Sequence, residues 1–218
     1  MTSADMLDID DWRRQVADLY ARVRDVAAHD PEAAWNDWRA TREHLFREHS
    51  QSPVLPEARA GFQARHWPYD PALRLEAVVE PETPSEPATV AASLGGLAML
   101  LPISTGGGES LERIGRVRIP FPAGERELGL YWMSGYAGGL FLPFRDATSG
   151  AETYAAGRYL LDAAKSADLG PGTAPGSLVL DFNFAFQPSC AFDPKWACPL
   201  APPENRLDLR IEAGERID

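Results

Sequence analysis

The chain has 218 residues, 44% of them hydrophobic, which is enough for one main domain with a real core and a helical attachment. Its 21 basic and 32 acidic residues give a formal net charge of −11, so phosphate backbones and anionic lipid are repelled. We therefore predict neither nucleic acid nor a membrane surface as a partner.

The beginning of the sequence lacks the basic region and apolar run of a secretion signal. No segment approaches the roughly 18 apolar residues of a membrane-spanning helix. We expect a soluble cytoplasmic protein, in which the two cysteines, Cys190 and Cys198, are thiols. The sequence leaves the oligomeric state open, and a homo-oligomer is compatible with it.

The first 50 residues carry helical patterns. Apolar side chains at spacings of three and four predict one helix that begins near Asp8 or Asp10. Asp30, followed by Pro31, predicts the N-cap of a second helix that runs to about Glu48. The apolar face of the first helix is Trp12, Val16, Leu19, Val23 and Val26, and that of the second is Ala34, Trp35, Trp38, Leu45 and Phe46.

Beyond Gln51 the pattern changes to short strand-like segments separated by turn signals. The predicted strands are Arg74–Val79, Val90–Leu101, Glu112–Phe121, Glu127–Met133, Gly139–Arg145, Thr153–Leu161, Leu178–Phe186 and Arg206–Ile211. The predicted fold class is α+β, mainly β. A helical hairpin at residues 1–50 packs on an antiparallel β-sandwich or partly open barrel at residues 51–218.

Turn signals support this arrangement. The sequence DATSG at residues 146–150 predicts a hairpin, because an acid opens the turn and a glycine ends it. We predict an exposed connector at residues 80–89, a loop at 168–177 and a short helical turn within 160–168. The glycine-rich run at residues 104–110 lacks the Gly-Lys-Ser/Thr ending of a phosphate loop, so we interpret it as a flexible hairpin.

The densest chemistry lies at residues 178–207. If Leu178–Phe186 is one strand, alternate residues share a face, which places Asp181 beside Asn183. A carboxylate next to a carboxamide can orient a water, an amide or a sugar hydroxyl. The alternative is that both side chains bond only to neighbouring loop backbone.

Cys190 and Cys198 do not have the spacing of a zinc knuckle or a redox motif, and we predict no metal site. A nucleophilic thiol needs a base, and His66 is the only histidine outside the helical region. Cys190 with His66 is therefore a candidate pair, against the alternative of buried structural thiols.

Prolines restrict the backbone around Glu204 and Asn205, so this acid and amide are held in place. They could serve catalysis or binding, or they could cap the amides of their own loop. Arg145 and Arg158, on the two arms of the predicted hairpin, could contact an anion or neutralise Asp181 and Glu204. We predict that the proline-rich segment folds across the mouth of the β-structure, so that Asp181, Asn183 and Glu204 share one recess.

Residues 143–160 and 180–215, together with HWPYDPALRLEA at 66–77 and WRATREHLFREHSQSPVL at 38–55, resemble a bacterial family of proteins of unknown function, DUF1684. The resemblance implies no activity. Phe186, Gln187 and Phe192 stand where the family has Tyr, Asn and Tyr, and Ala155 where it has Gly, so phenols there are not essential chemistry in this chain. The candidate residues that match the family pattern are Asp181, Asn183, Cys190, Cys198, Glu204 and Asn205.

Two functional hypotheses follow. The first is an enzyme acting on a small polar or anionic molecule, with Glu204, Asp181 or Cys190 as catalytic groups. In it the substrate is bound by Asn183, Asn205, Arg145, Arg158 and His66. The second is a non-catalytic ligand-binding or interaction module in which these polar groups are structural. The sequence identifies no cofactor.

Overall fold

Two helices open the chain in the computed structural model, which describes residues 2–82, 98–102, 108–134 and 138–217, with backbone alone at 98–102 and 108–110. Helix α1 spans Ser3–Ala27. It begins upstream of the predicted start because Thr2 and Asp5 form a reciprocal capping box. None of the described helices is long and apolar enough to cross a membrane.

Helix α2 spans Pro31–Glu48, and the Asp30 carboxylate caps it by accepting from the Ala33 amide at 2.9 Å. The predicted bounds and N-cap of α2 are confirmed. On α1 the prediction for Val26 is wrong, since its side chain is 37% exposed. Ala27, four residues after Val23, continues the buried stripe instead. All five predicted residues of the apolar face of α2 are buried: Ala34, Trp35, Trp38, Leu45 and Phe46.

An antiparallel sheet of seven strands follows a short helix, α3 (Pro56–Arg59). Its strands are β2 (Arg74–Pro81), β3 (Ala98–Pro102), β4 (Gly108–Phe121), β5 (Gly124–Met133), β6 (Gly139–Phe144), β7 (Arg158–Asp162) and β8 (Ser177–Asp181). The order is β7-β6-β5-β4-β2-β8, with β3 also paired to β4, and the sheet curls into a half-barrel. Two short strands, β1 (Arg65–His66) and β9 (Glu215–Arg216), form a separate antiparallel pair. The predicted class, α+β and mainly β, is confirmed.

Each face of the sheet has its own core. The helical hairpin covers one face, where Trp35 and Trp38 belong to the same buried cluster as Tyr131, Tyr159 and Phe184. Because this cluster is shared, burial of the apolar stripes of α1 and α2 depends on the sheet. The division at residue 50 stays a prediction.

The C-terminal segment belongs to the second core of the sheet. Leu207, Ile211 and Ala213 are buried in a cluster with Ile119 and Phe182. This segment was predicted as a strand at residues 206–211, which is wrong. Arg206 makes one isolated parallel bridge to Arg145, and the residues after it pair with no strand of the described part of the chain until β9.

Two other predicted strands are too long. Strand β8 ends at Asp181, because the Asp181 carboxylate caps a 3-10 turn at Phe182–Phe184. Strand β7 begins at Arg158, after Gly157 with a φ of 104°. The hairpin between β6 and β7 is confirmed as an antiparallel pair, but its connection extends to Gly157.

The remaining loop predictions have mixed outcomes. The short helical turn is confirmed at Ala163–Lys165, and the loop before β8 is confirmed up to residue 176. The connector at residues 80–89 was placed too early, since β2 continues to Pro81, and from residue 83 it lies outside the described residues. Residues 90–97 of the predicted second strand and 104–107 of the glycine-rich run also lie outside them.

Candidate functional site

Asp181 and Asn183 do lie together, although not on one strand face. The Asn183 amide nitrogen and Nδ2 donate to Asp181 Oδ1 at 3.0 and 2.8 Å. Asn183 Oδ1 accepts from the Asp70 amide at 2.8 Å, and Nδ2 also donates to the Asp70 carbonyl at 2.8 Å. Both side chains are fully buried. Asn183 thus acts as an internal bridge between the end of β8 and the loop before β2.

The Asp181 carboxylate also accepts from Arg74 Nη1 at 3.1 Å. Burial raises the pKa of Asp181, and the hydrogen bonds from Asn183 and Arg74 oppose that effect. Because the carboxylate is sealed from solvent and holds a turn, its geometry is that of a structural group.

The side chain of Asn205 makes hydrogen bonds to the backbone of the sheet. Its Oδ1 accepts from the Gly129 amide at 2.8 Å, and its Nδ2 donates to the carbonyls of Gly129 and Pro143 at 2.9 and 2.7 Å. The side chain is fully buried and bonds to backbone on both β5 and β6. These bonds fix the proline-rich segment to the sheet and leave Asn205 no exposed surface for a ligand.

Glu204, next to Asn205, lies elsewhere than Asp181. Its carboxylate accepts from Tyr131 Oη at 2.8 Å and lies 3.8 Å from Arg113 Nη1, with 37% of the side chain exposed. Burial and the hydrogen bond to Glu204 raise the pKa of Tyr131. Tyr131 is on β5, which β4 and β2 separate from β8. The predicted common recess is therefore wrong, because Asn205 anchors the segment to β5 and β6 rather than to β8.

The two hairpin arginines have different roles from those expected. Arg158 is buried and donates to the carbonyls of Ile211, Ala213 and Glu215, and its Nη2 lies 3.4 Å from Asp146 Oδ2. It neutralises Asp146 and neither of the acids that the sequence suggested. Burial lowers the pKa of Arg158 to about 10.

Arg145 contributes through its backbone. Its amide donates to the Asn205 carbonyl and its carbonyl accepts from the Leu207 amide, both at 2.8 Å. No ion pair joins its side chain to an acid of the described residues. The pairing of Arg145 with Asp181 or Glu204 is therefore wrong.

His66 faces a buried ion pair. Its Nε2 lies 4.0 Å from Glu215 Oε1, and its ring makes edge contacts with Trp35 and Trp38. Arg42 Nε and Nη2 bind the two oxygens of Glu215. Burial is the largest influence on His66 and lowers its pKa to about 4. Burial alone would raise the pKa of Glu215, but Arg42 more than offsets this and the net shift is downward.

Cys190 has other neighbours than His66. Its amide donates to Cys198 Sγ at 3.3 Å, and both thiols are buried. The side-chain hydrogen bond with Cys190, together with burial, raises the pKa of Cys198. Burial and the hydrogen bond with Cys190 raise the pKa of Tyr154 to about 12. A raised thiol pKa disfavours the thiolate, so this arrangement suits packing better than nucleophilic attack.

No group of three or more His, Cys, Asp or Glu side chains is arranged to hold a metal ion within the part of the chain that the structure describes. The candidate residues that are polar and buried bond instead to backbone and to one another.

A cavity of about 420 Å³ lies between the helical hairpin, strands β6 and β7, and the loop that carries Cys198. We call it the hairpin cavity. Its lining is Ile9, Trp12, Arg13, Arg42, Phe46, Gln51, Pro53, Met133, Phe141, Tyr159, Asp162, Ala164, Lys165, Gln187, Ser189, Trp196, Ala197, Cys198 and Pro199. None of the eight residues predicted from the sequence as catalytic or substrate-binding is among them, although Cys198, which matches the family pattern, is. Two other cavities, of about 420 and 410 Å³, contain fewer aromatic side chains.

The hairpin cavity combines aromatic walls with basic groups. Among the described residues that line it, five are aromatic, three are basic and one, Asp162, is acidic. Lys165 Nζ lies 2.9 Å from Asp162 Oδ2 and 5.2 Å from the centroid of the Tyr159 ring. Burial raises the pKa of Tyr159, so its phenol stays protonated. Such a space suits a flat apolar molecule with a polar end.

The lining residues of the hairpin cavity were not predicted from the sequence, and the reason is physical. Trp12 and Phe46 fit the apolar faces of their helices, and Arg42 fits a solvated face, so nothing in the local pattern marks them as a cavity wall. One signal was present: Lys165 is one of only two lysines in the chain.

Comparison with known proteins shows which family the chain belongs to. The family model described as Protein of unknown function (DUF1684) matches residues 62–216. An uncharacterised protein of Haloarcula marismortui, solved by NMR in solution, is 29% identical with a TM-score of 0.59, over 89% of this chain and 98% of that one. A search of curated proteins found no match. Because the family model covers well over half of the sequence, the chain belongs to the DUF1684 family.

Proposed function

We propose that this protein binds a small molecule with a flat, apolar body in the hairpin cavity. The observation that carries the proposal is the aromatic lining of an open space of about 420 Å³. That volume falls in the range of about 300–1,000 Å³ found for small-molecule sites. Aromatic rings on several sides favour a planar ligand, since stacked and edge contacts both add to burial.

We propose binding rather than catalysis, because the polar groups suggested as catalytic are engaged in holding the fold. Asp181 is sealed and bonded to Asn183 and Arg74. Cys190 lies beside Cys198, whose pKa is raised. Internally paired polar groups support the hypothesis of a non-catalytic binding module over that of an enzyme.

The test uses N-phenylnaphthylamine, a neutral aromatic probe whose fluorescence rises in apolar surroundings. Ala164 is exposed and lines the cavity, so Ala164→Phe should fill it and weaken probe binding at least tenfold. Ala174, equally exposed, lies in the loop before β8 and does not line the cavity, so Ala174→Phe should bind like the wild type.

Circular dichroism of the aromatic bands serves as the control, because a folded Ala164→Phe variant keeps the wild-type spectrum. A wild-type protein that does not bind the probe contradicts the proposal. So does binding that both phenylalanine variants leave intact, since the probe would then occupy another surface.

A further inference from the structure

Two cations from different elements line the hairpin cavity. Arg42 comes from α2 and Lys165 from the turn after β7, and both line the cavity. Both also stand over the ring of Phe186: Arg42 Cζ is 4.8 Å and Lys165 Nζ is 5.2 Å from its centroid. The two cations therefore lie around one ring, with Arg42 Cζ and Lys165 Nζ no more than 10 Å apart.

Each cation is held in place by a carboxylate and still has donors to offer. Arg42 uses Nε and Nη2 on Glu215, and Nη1 makes no hydrogen bond to the described residues. Lys165 Nζ donates to Asp162 at 2.9 Å and has two further N–H groups. Their side chains are 12% and 26% exposed, so a ligand in the cavity meets donors that are largely shielded from bulk water.

The charge balance distinguishes between kinds of anion. Arg13, Arg42 and Lys165 bring three positive charges to the cavity, and Glu215 and Asp162 bring two negative charges as partners of the last two. Arg13 is exposed, and the Asp11 side chain is 51% exposed and bonded to His49, so solvent screens both of these charges. Among the shielded groups each cation has one carboxylate partner. A ligand with one negative charge receives donors from both cations, whereas a second negative charge is repelled by the two carboxylates.

We infer that the ligand of the hairpin cavity is a monoanionic carboxylic acid with a flat apolar body, whose carboxylate is bound between Arg42 Nη1 and Lys165 Nζ. This inference rests on the proposed function, since it assumes that the cavity is a binding site. Donation from two cations to one carboxylate gives charge-assisted hydrogen bonds, which are stronger than neutral ones. The aromatic walls then receive the apolar body.

The test measures displacement of N-phenylnaphthylamine by three ligands of one shape: naphthoate, its neutral isostere naphthamide, and naphthyl phosphate as a dianion at mildly alkaline pH. Naphthoate should bind about ten- to a hundredfold more tightly than naphthamide, the range expected for charge-assisted hydrogen bonds. It should also bind more tightly than naphthyl phosphate.

Lys165→Met is the diagnostic variant, because methionine keeps the apolar stem and removes the charge. It should lower the affinity for naphthoate about tenfold and change the affinity for naphthamide by no more than about twofold. Lys195→Met is the matched control. Lys195 is the other lysine, is also bonded to an aspartate, and does not line the cavity. It should leave both affinities unchanged.

The outcomes separate the two proposals. If N-phenylnaphthylamine does not bind, the proposed function fails and this inference with it. If the probe binds but naphthoate and naphthamide compete equally, or Lys165→Met weakens both equally, only the anionic end is refuted. Tighter binding of naphthyl phosphate than of naphthoate overturns the assignment to a monoanion.

Discussion

Arg42 of α2 and Glu215 of β9 form a buried, two-armed ion pair across the junction of the helical hairpin and the C-terminal segment. The Glu215 carboxylate also accepts from the Gln187 amide at 2.7 Å, and it faces His66. One side chain thus ties together α2, the loop after β8 and the β1–β9 pair.

Glu215→Gln should lower the free energy of unfolding by about 3–5 kcal/mol, because it leaves the Arg42 guanidinium buried without its counter-charge. The double variant Arg42→Met/Glu215→Gln should lose less stability than the two single variants together. The difference in the free energy of unfolding should be at least about 1 kcal/mol. Urea denaturation of the four proteins measures this coupling. Strict additivity would show that the pair does not interact. The exposed pair Arg14 and Asp10 is the control, and its removal should leave the denaturation midpoint unchanged.

His66 should make stability depend on pH. Its pKa is about 4 in the folded protein and near 6.5 in the unfolded chain. The unfolded state therefore binds the proton first as the pH falls, so the contribution of His66 is complete above about pH 6.5 and is lost as the pH falls towards 4. Between about pH 7.5 and about pH 5, we expect a loss of about 2 kcal/mol.

His66→Phe keeps an aromatic ring against Trp35 and Trp38 and removes the titrating group, so the slope in this pH range should flatten. His44→Gln, at an exposed position on α2, should leave the slope in place. Urea denaturation across the pH range is the measurement. An unchanged slope in His66→Phe would assign the pH dependence to another group.

Two neighbouring residues in one turn, Glu204 and Asn205, should lose different amounts of stability when truncated. Asn205→Ala removes three buried hydrogen bonds to backbone on β5 and β6 and should cost about 2–4 kcal/mol. Glu204→Ala removes one hydrogen bond, from Tyr131 Oη to a partly exposed carboxylate, and should cost clearly less, about 1 kcal/mol. Thermal and urea denaturation compare the two. Equal losses would mean that the turn is stabilised by its backbone alone.

Two glycines with positive φ provide a second matched comparison. A Cβ at Gly157, where φ is 104°, would collide with the carbonyl of Phe144, whereas at Gly176, where φ is 75°, it would meet no atom within 4 Å. Gly176→Ala should cost about 1–2 kcal/mol from backbone strain alone. Gly157→Ala should cost clearly more, because β6 must also move. The measurement is the denaturation midpoint of each variant. Similar midpoints would contradict the predicted collision at Gly157.

Local patterns predicted the helices well because their causes are local. Pro31 after the Asp30 cap, and apolar residues at helical spacing, specify α2 without reference to the rest of the chain. The antiparallel sheet was also predictable, since alternation and turn residues recur at short intervals. The end of the strand predicted at residues 206–211 bonds to side chains instead of a neighbouring strand: the Ile211 carbonyl accepts from Arg158, and the Ile211 amide donates to the Asp146 carboxylate.

The sequence by itself determined the fold class, the bounds of α2 and the proximity of Asp181 to Asn183, because each depends on residues close together in the chain. Only the tertiary structure decided that Glu204 lies apart from that pair, and that Arg42 and Lys165 meet at one cavity. Those relationships join residues far apart in sequence, and they follow from how the hairpin packs on the sheet. No local pattern records that packing.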